Sequence, residues 1–135
     1  MENTMYRIYI LPLILALGLA SFFSSALYAS ESDVSIQSLQ DKQIANQNIL
    51  LLDVRSTEEF GEGHVPGAVN IPHSDLDKIY LLLNHSKGKQ RIVYCRSGKR
   101  AGLVLDAMKE KGLTDLYHLE GDMIGWKEAG LPVEN

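Results

Sequence analysis

The chain contains one cysteine, Cys95, among 135 residues. That excludes an intramolecular disulfide framework, a Cys-rich zinc site and a dithiol redox centre, each of which needs a second thiol. Positive charge is in deficit: 13 Lys and Arg stand against 17 Asp and Glu, a net charge of −4. The broad basic face of a nucleic-acid binder is therefore missing, and no nucleic-acid partner is expected. His64, His73, His85 and His118 show no metal-ligand spacing, so no metal is expected. Internal repeats, low-complexity tracts and a second-domain linker are absent as well. What is present, 45% apolar and 22% charged residues, is the composition of an ordinary globular domain.

Charge is lacking altogether from Ile8 to Phe23. Arg7 forms a weak basic region ahead of this run, and small residues follow it in Ser24-Ser25-Ala26 and Leu27-Tyr28-Ala29. This is the pattern of a secretory signal peptide cleaved after Ala26 or Ala29. We expect residues 1–29 to be that peptide and residues 30–135 the domain. An uncleaved segment would be a membrane anchor, since residues 8–29 carry no charge and a span needs about 20 residues. Either outcome exports the domain, which at this size can bury an adequate core without staples.

Ile49-Leu50-Leu51-Leu52, ending at Asp53, is a continuous apolar run suited to a strand buried on both faces. Ser56-Thr57-Glu58-Glu59 has capping-box spacing and predicts a short helix through Phe60, stopped by Gly61 and Gly63. Val69 to Ile71 is a brief extended piece. Leu76, Ile79, Tyr80 and Leu83 recur at helical spacing, with Ser74 as the expected cap. Ile92-Val93-Tyr94 predicts a second core strand that delivers Cys95 at its carboxyl end. A helix is expected from Lys99 to Lys111, a third strand from Leu116 to Leu119 and a last helix from Asp122 to Ala129. Alternating strands and helices imply an α/β fold with a central, mostly parallel sheet flanked by helices on both faces. Ligand sites in such sheets lie beyond the carboxyl ends of the strands.

Cys95 opens the segment Cys95-Arg96-Ser97-Gly98-Lys99-Arg100. Amides of the turn and of the first helical turn can converge on the sulfur, and the helix dipole favours negative charge there. Arg96, Lys99 and Arg100 add positive charge, and the thiolate is the nucleophilic form. Gly98 suits a point where the backbone curls tightly or takes a positive φ. A buried structural cysteine beside a solvated basic turn is the bland alternative, and the basic neighbours oppose it. A nucleotide P-loop fails because Val93 holds the first glycine position and Arg100 follows Lys99. A Cys-x5-Arg phosphatase loop would need arginine at position 101, which is Ala101.

The chain resembles single-domain rhodaneses over residues 33–135. The matching segments are Leu51-Leu52-Asp53-Val54-Arg55 with Glu59-Phe60, Gly63-His64-Val65-Pro66-Gly67-Ala68-Val69-Asn70-Ile71-Pro72, the Cys95 loop, and Leu119-Glu120-Gly121 with Trp126, Gly130 and Pro132. The loop satisfies the Cys-Arg-x-Gly-x-Arg pattern of the thiosulfate-type branch. The resemblance, with the signal peptide, implies a periplasmic thiosulfate sulfurtransferase acting through a Cys95 persulfide. Thiosulfate or a polysulfide would be the donor, and a thiol or cyanide the acceptor, with no cofactor. Arg96, Ser97, Gly98, Lys99 and Arg100 would bind substrate, Arg100 being the expected direct contact to the sulfonate. Asp53 and Arg55 would stand behind the loop, as an anion-orienting pair or as a structural tie. The alternative is a persulfide carrier delivering sulfur to a protein partner. One departure is visible: the family often has Gly-Gly before the last helix, and here the pair is Gly121-Asp122. Aspartate tolerates left-handed geometry, so the turn is expected to survive.

Overall fold

The structure, a computed structural model, describes residues 32–135. The expected signal peptide and both cleavage points lie outside the described residues. Strands and helices alternate: β1 Asp33–Val34, α1 Ile36–Ile44, β2 Ile49–Asp53, α2 Thr57–Glu62, β3 Val69–Asn70, α3 Leu76–His85, β4 Gln90–Tyr94, α4 Lys99–Glu110, β5 Leu116–Leu119 and α5 Asp122–Glu128. The strands form one sheet in the order β1-β5-β4-β2-β3, with every pairing parallel.

The two apolar runs become the middle of this sheet because their side chains can be buried on both faces. Alternation divides them. Leu50 and Leu52 of β2, with Val93 and Cys95, pack under Ile79 and Leu83 of α3 and Ala101, Val104 and Met108 of α4. Leu51, Ile92 and Tyr94 turn the other way, against Leu39 of α1 and Met123 and Trp126 of α5. Helices thus cover both faces, as the alternating pattern implies.

The element edges differ from the sequence reading in physically simple ways. β1 and α1 are additional: β1 has two residues, too few for a period, and α1 buries only Leu39. Helix α2 runs through Gly61 to Glu62 and stops at Gly63, whose φ of 144° breaks the helix. Its capping box is present, with Glu59 N–H donating to Ser56 Oγ at 3.1 Å. Asp75, not Ser74, caps α3, its carboxylate accepting from Lys78 N–H. The C-terminal segment closes back on the α2–β3 loop through paired backbone hydrogen bonds between His64 and Glu134. His64 is buried there, its Nδ1 2.9 Å from the Phe60 carbonyl and its ring stacked on Phe60 at 3.6 Å. The Trp126 indole N–H donates to the Pro132 carbonyl at 2.8 Å.

Leu52, fully buried at the centre of the sheet, should cost about 2–5 kcal/mol when changed to Ala. Chemical denaturation of Leu52→Ala, read at unchanged m-value, checks this.

Candidate active site

Strand β4 has neighbours on both sides and ends at Tyr94, so Cys95 emerges at the carboxyl edge of the middle of the sheet. Its side chain is buried, with the residue 1% exposed. The five residues 95–99 then turn into α4. Gly98, at φ 100°, caps α4 and directs its own N–H at Cys95 Sγ, 3.1 Å away. An N–H aimed at sulfur favours negative charge there, and the first turn of α4 adds the positive end of its dipole.

The turn keeps this orientation because its carbonyls are committed elsewhere. Cys95 and Arg96 carbonyls accept from the N–H groups of Met123 and Ile124 at 3.0 and 3.1 Å. Those donors belong to the first turn of α5, where a helix has N–H groups with no partner of its own. The Cys95 N–H donates to Asp122 Oδ1 at 3.0 Å. Loop and helix therefore complete each other's hydrogen bonding.

The basic residues divide into two groups. Arg100 is bound by Glu59 through two parallel hydrogen bonds of 2.7 and 2.9 Å. This hydrogen-bonded guanidinium holds the Glu59 carboxyl down to about 2 from its ordinary 4.5. The expectation of Arg100 as the direct sulfonate contact therefore meets a guanidinium already engaged by a carboxylate. Arg96 and Lys99 are different: both are exposed, and neither has an ion-pair partner among the described residues. Arg96 lines a cleft of about 200 Å³ with Arg55, Glu59, Glu62, Met123, Ile124 and Lys127. Ser97 is exposed at the crown of the turn.

Asp53 and Arg55 form a buried pair, Arg55 Nη2 standing 2.6 Å from Asp53 Oδ2 and also donating to the Gly63 carbonyl at 2.9 Å. Asn70 ties the same corner by donating to the Asp53 and Arg55 carbonyls. The arrangement is that of a structural tie between β2 and the α2–β3 loop, with one edge of Arg55 facing the cleft.

Sequence reasoning missed three participants: Glu59, Asp122 and His118. Glu59 was visible as a capping residue and as part of the matching segment Glu59-Phe60, but its partner lies 41 positions away. Asp122 accepts from Cys95 and from His118 Nε2, at 2.9–3.0 Å. The available signal was a charged residue standing where glycine is usual, four positions after a histidine. Among the described residues, no cluster of three or more His, Cys, Asp or Glu is placed to hold a metal ion.

Residues 35–129 match the family model described as the rhodanese-like domain. The chain belongs to the rhodanese-like family. An uncharacterized protein of Synechocystis is 33% identical over 77% of this rhodanese-like chain and 58% of its own. A putative sulfurtransferase of Bacillus subtilis, YtwF, is 34% identical over 74% of this chain and 94% of its own. The putative sulfur carrier protein YrkF of the same organism is 28% identical over 76% of this chain and 55% of its own. The rhodanese-like chain thus spans little more than half the length of two of these relatives. The crystal structure of a rhodanese-related protein from Thermoplasma volcanium superposes with a TM-score of 0.64 at 27% identity. That superposition covers 76% of this chain and 96% of the other. At the level of the family, the relatives' names support a sulfurtransferase.

The Glu59–Arg100 pair gives a pH test. Because the folded value for Glu59 lies below the unfolded one, its stabilisation is present above pH 4.5 and is lost as pH falls toward about 2. Glu59→Gln should cost roughly 1–2 kcal/mol at pH 7. The gap between variant and wild type should close across that acid range in denaturant titrations.

Proposed function

We propose that this rhodanese-like domain is a thiosulfate sulfurtransferase working by two half-reactions through Cys95. The observation that carries the reading is the Gly98 N–H directed at the Cys95 sulfur at the carboxyl end of the central strand. In the first half-reaction the Cys95 thiolate attacks the outer sulfur of thiosulfate. A sulfur–sulfur bond forms to Cys95, the bond to the sulfonate sulfur breaks, and sulfite leaves with that electron pair. In the second, a thiol or cyanide attacks the outer sulfur of the persulfide and Cys95 departs as thiolate. The Gly98 N–H, already in place for the sulfur, acts as an oxyanion-hole donor does for oxygen, with no reorganisation during the step.

Arg96 and Lys99 are the cations for the sulfonate, since Arg100 is engaged by Glu59. Arg100 acts by fixing the position of Glu59 and the start of α4. Asp53 and Arg55 hold the α2–β3 loop to β2. The uncharged run of residues 8–23 supports an exported, periplasmic setting, testable by cell fractionation. A second reading is a persulfide carrier for a protein acceptor. It is supported by the relative named a putative sulfur carrier protein and by the burial of Cys95.

Intact-mass spectrometry of the reduced protein before and after thiosulfate tests both. A gain of one sulfur atom, lost to cyanide with repeated thiocyanate release and absent in Cys95→Ser, is expected for the enzyme. A gain from a polysulfide alone would turn the reading to the carrier, and no gain from any donor would end both. Arg96→Ala should raise the thiosulfate KM by about tenfold, worth about 1.4 kcal/mol, with kcat less affected.

A further inference from the structure

Asp122 is costly in two respects. Its φ of 53° is left-handed, which side chains other than glycine seldom adopt. It is also 2% exposed, where an unpaired charge is expensive. Both costs are met by specific partners: the Cys95 N–H at 3.0 Å and His118 Nε2 at 2.9–3.0 Å. The other ring nitrogen of His118, Nδ1, lies 3.6 Å from Asp33 Oδ1. The imidazole therefore stands between two carboxylates.

The charged groups facing His118 are Asp122 from α5 and Asp33 from β1. From the cysteine turn it meets uncharged Gly98, and across the sheet its register partner on β4 is Val93. A neutral imidazole has one N–H and serves one carboxylate, whereas the imidazolium serves both. The hydrogen bond to Asp122 accordingly lifts the His118 pKa above its ordinary 6.5, against the opposing effect of burial. Asp122 Oδ2 lies 3.0 Å from the point where a Cβ on Gly98 would stand. The carboxylate thus lies close against the turn that holds the sulfur, and the positive φ of position 98 favours glycine there.

We propose that Asp122 is a positioning residue for the Cys95 turn and that His118, as imidazolium, cancels its charge. Attack by Cys95 on an anionic reagent is then favoured while His118 is protonated. When the proton leaves, the His118–Asp122 pair passes from neutral to a net charge of −1 beside the turn, and anions are repelled. The inference rests on Cys95 being the nucleophile. It names the group that makes anionic donors pH-sensitive.

The test uses two alkylating reagents on the folded protein, anionic iodoacetate and neutral iodoacetamide. In each, the thiolate attacks the methylene carbon and iodide leaves. The ratio of the two rates cancels the thiolate fraction and reports the local potential. Between about pH 6 and pH 9, spanning the His118 titration, the wild-type ratio should fall on the order of threefold to tenfold. Asp122→Asn keeps an oxygen for the Cys95 amide and tolerates a left-handed φ; without the carboxylate His118 gives up its proton earlier, so the fall in its ratio should move to lower pH. His118→Gln should give the low ratio throughout. The His118 Cε1–H resonance should titrate with the wild-type ratio and at lower pH in Asp122→Asn. A flat wild-type ratio, a fall in Asp122→Asn at the wild-type pH, or no alkylation of native Cys95 overturns the proposal. Failure of the sulfurtransferase reading would look different: no persulfide from any donor, while the ratio still moved.

Discussion

The site depends on the junction between the turn after β4 and the first turn of α5. A helix start has N–H groups that need acceptors, and a tight turn has carbonyls that must point somewhere. Here each solves the other's problem, through Met123 to Cys95 and Ile124 to Arg96. With its carbonyls drawn toward α5, the turn has its Gly98 N–H free to face the sulfur. Remove that junction and the strand end would still deliver a thiol, but without an oriented donor for its charge.

Around this junction the charges are arranged by partner rather than by sign. Three cations lie in the five residues after Cys95, yet one of them, Arg100, is held by Glu59. Arg55, which sequence places at a neighbouring strand end, is held by Asp53. Among the described residues, Arg96 and Lys99 are the cations of this segment that form no ion pair. Arg55 and Glu59, one member of each ion pair, line the cleft together with Arg96, Glu62 and Lys127.

Much of the frame could be read from the chain because it rests on local regularities. The apolar runs at Ile49–Leu52 and Ile92–Tyr94, the capping box at Ser56 and the strand at Leu116–Leu119 each carry their own signal. The placement of Cys95 at a strand end followed from these alone. The rest required tertiary contacts. β1 has no period to read, and α1 hides one leucine among polar residues. The choice of Asp75 over Ser74 as the cap of α3 depends on where the preceding turn leaves the chain. Glu59 meeting Arg100 joins segments 41 positions apart. The pair Gly121-Asp122 was legible as a departure from the usual glycines, and its left-handed geometry was expected. That the carboxylate would be spent on the Cys95 amide and His118 was not.

The junction with α5 also has a temporal meaning. The ribosome makes Cys95 well before Asp122, Met123 and Ile124, and parallel sheets pair only across long stretches of chain. While α5 is still unmade, the cysteine is an ordinary thiol on an unfinished strand. Its turn gains the Met123, Ile124 and Asp122 hydrogen bonds only when α5 docks. The geometry around the Cys95 sulfur is in this sense completed by a segment made later than the strand that carries it.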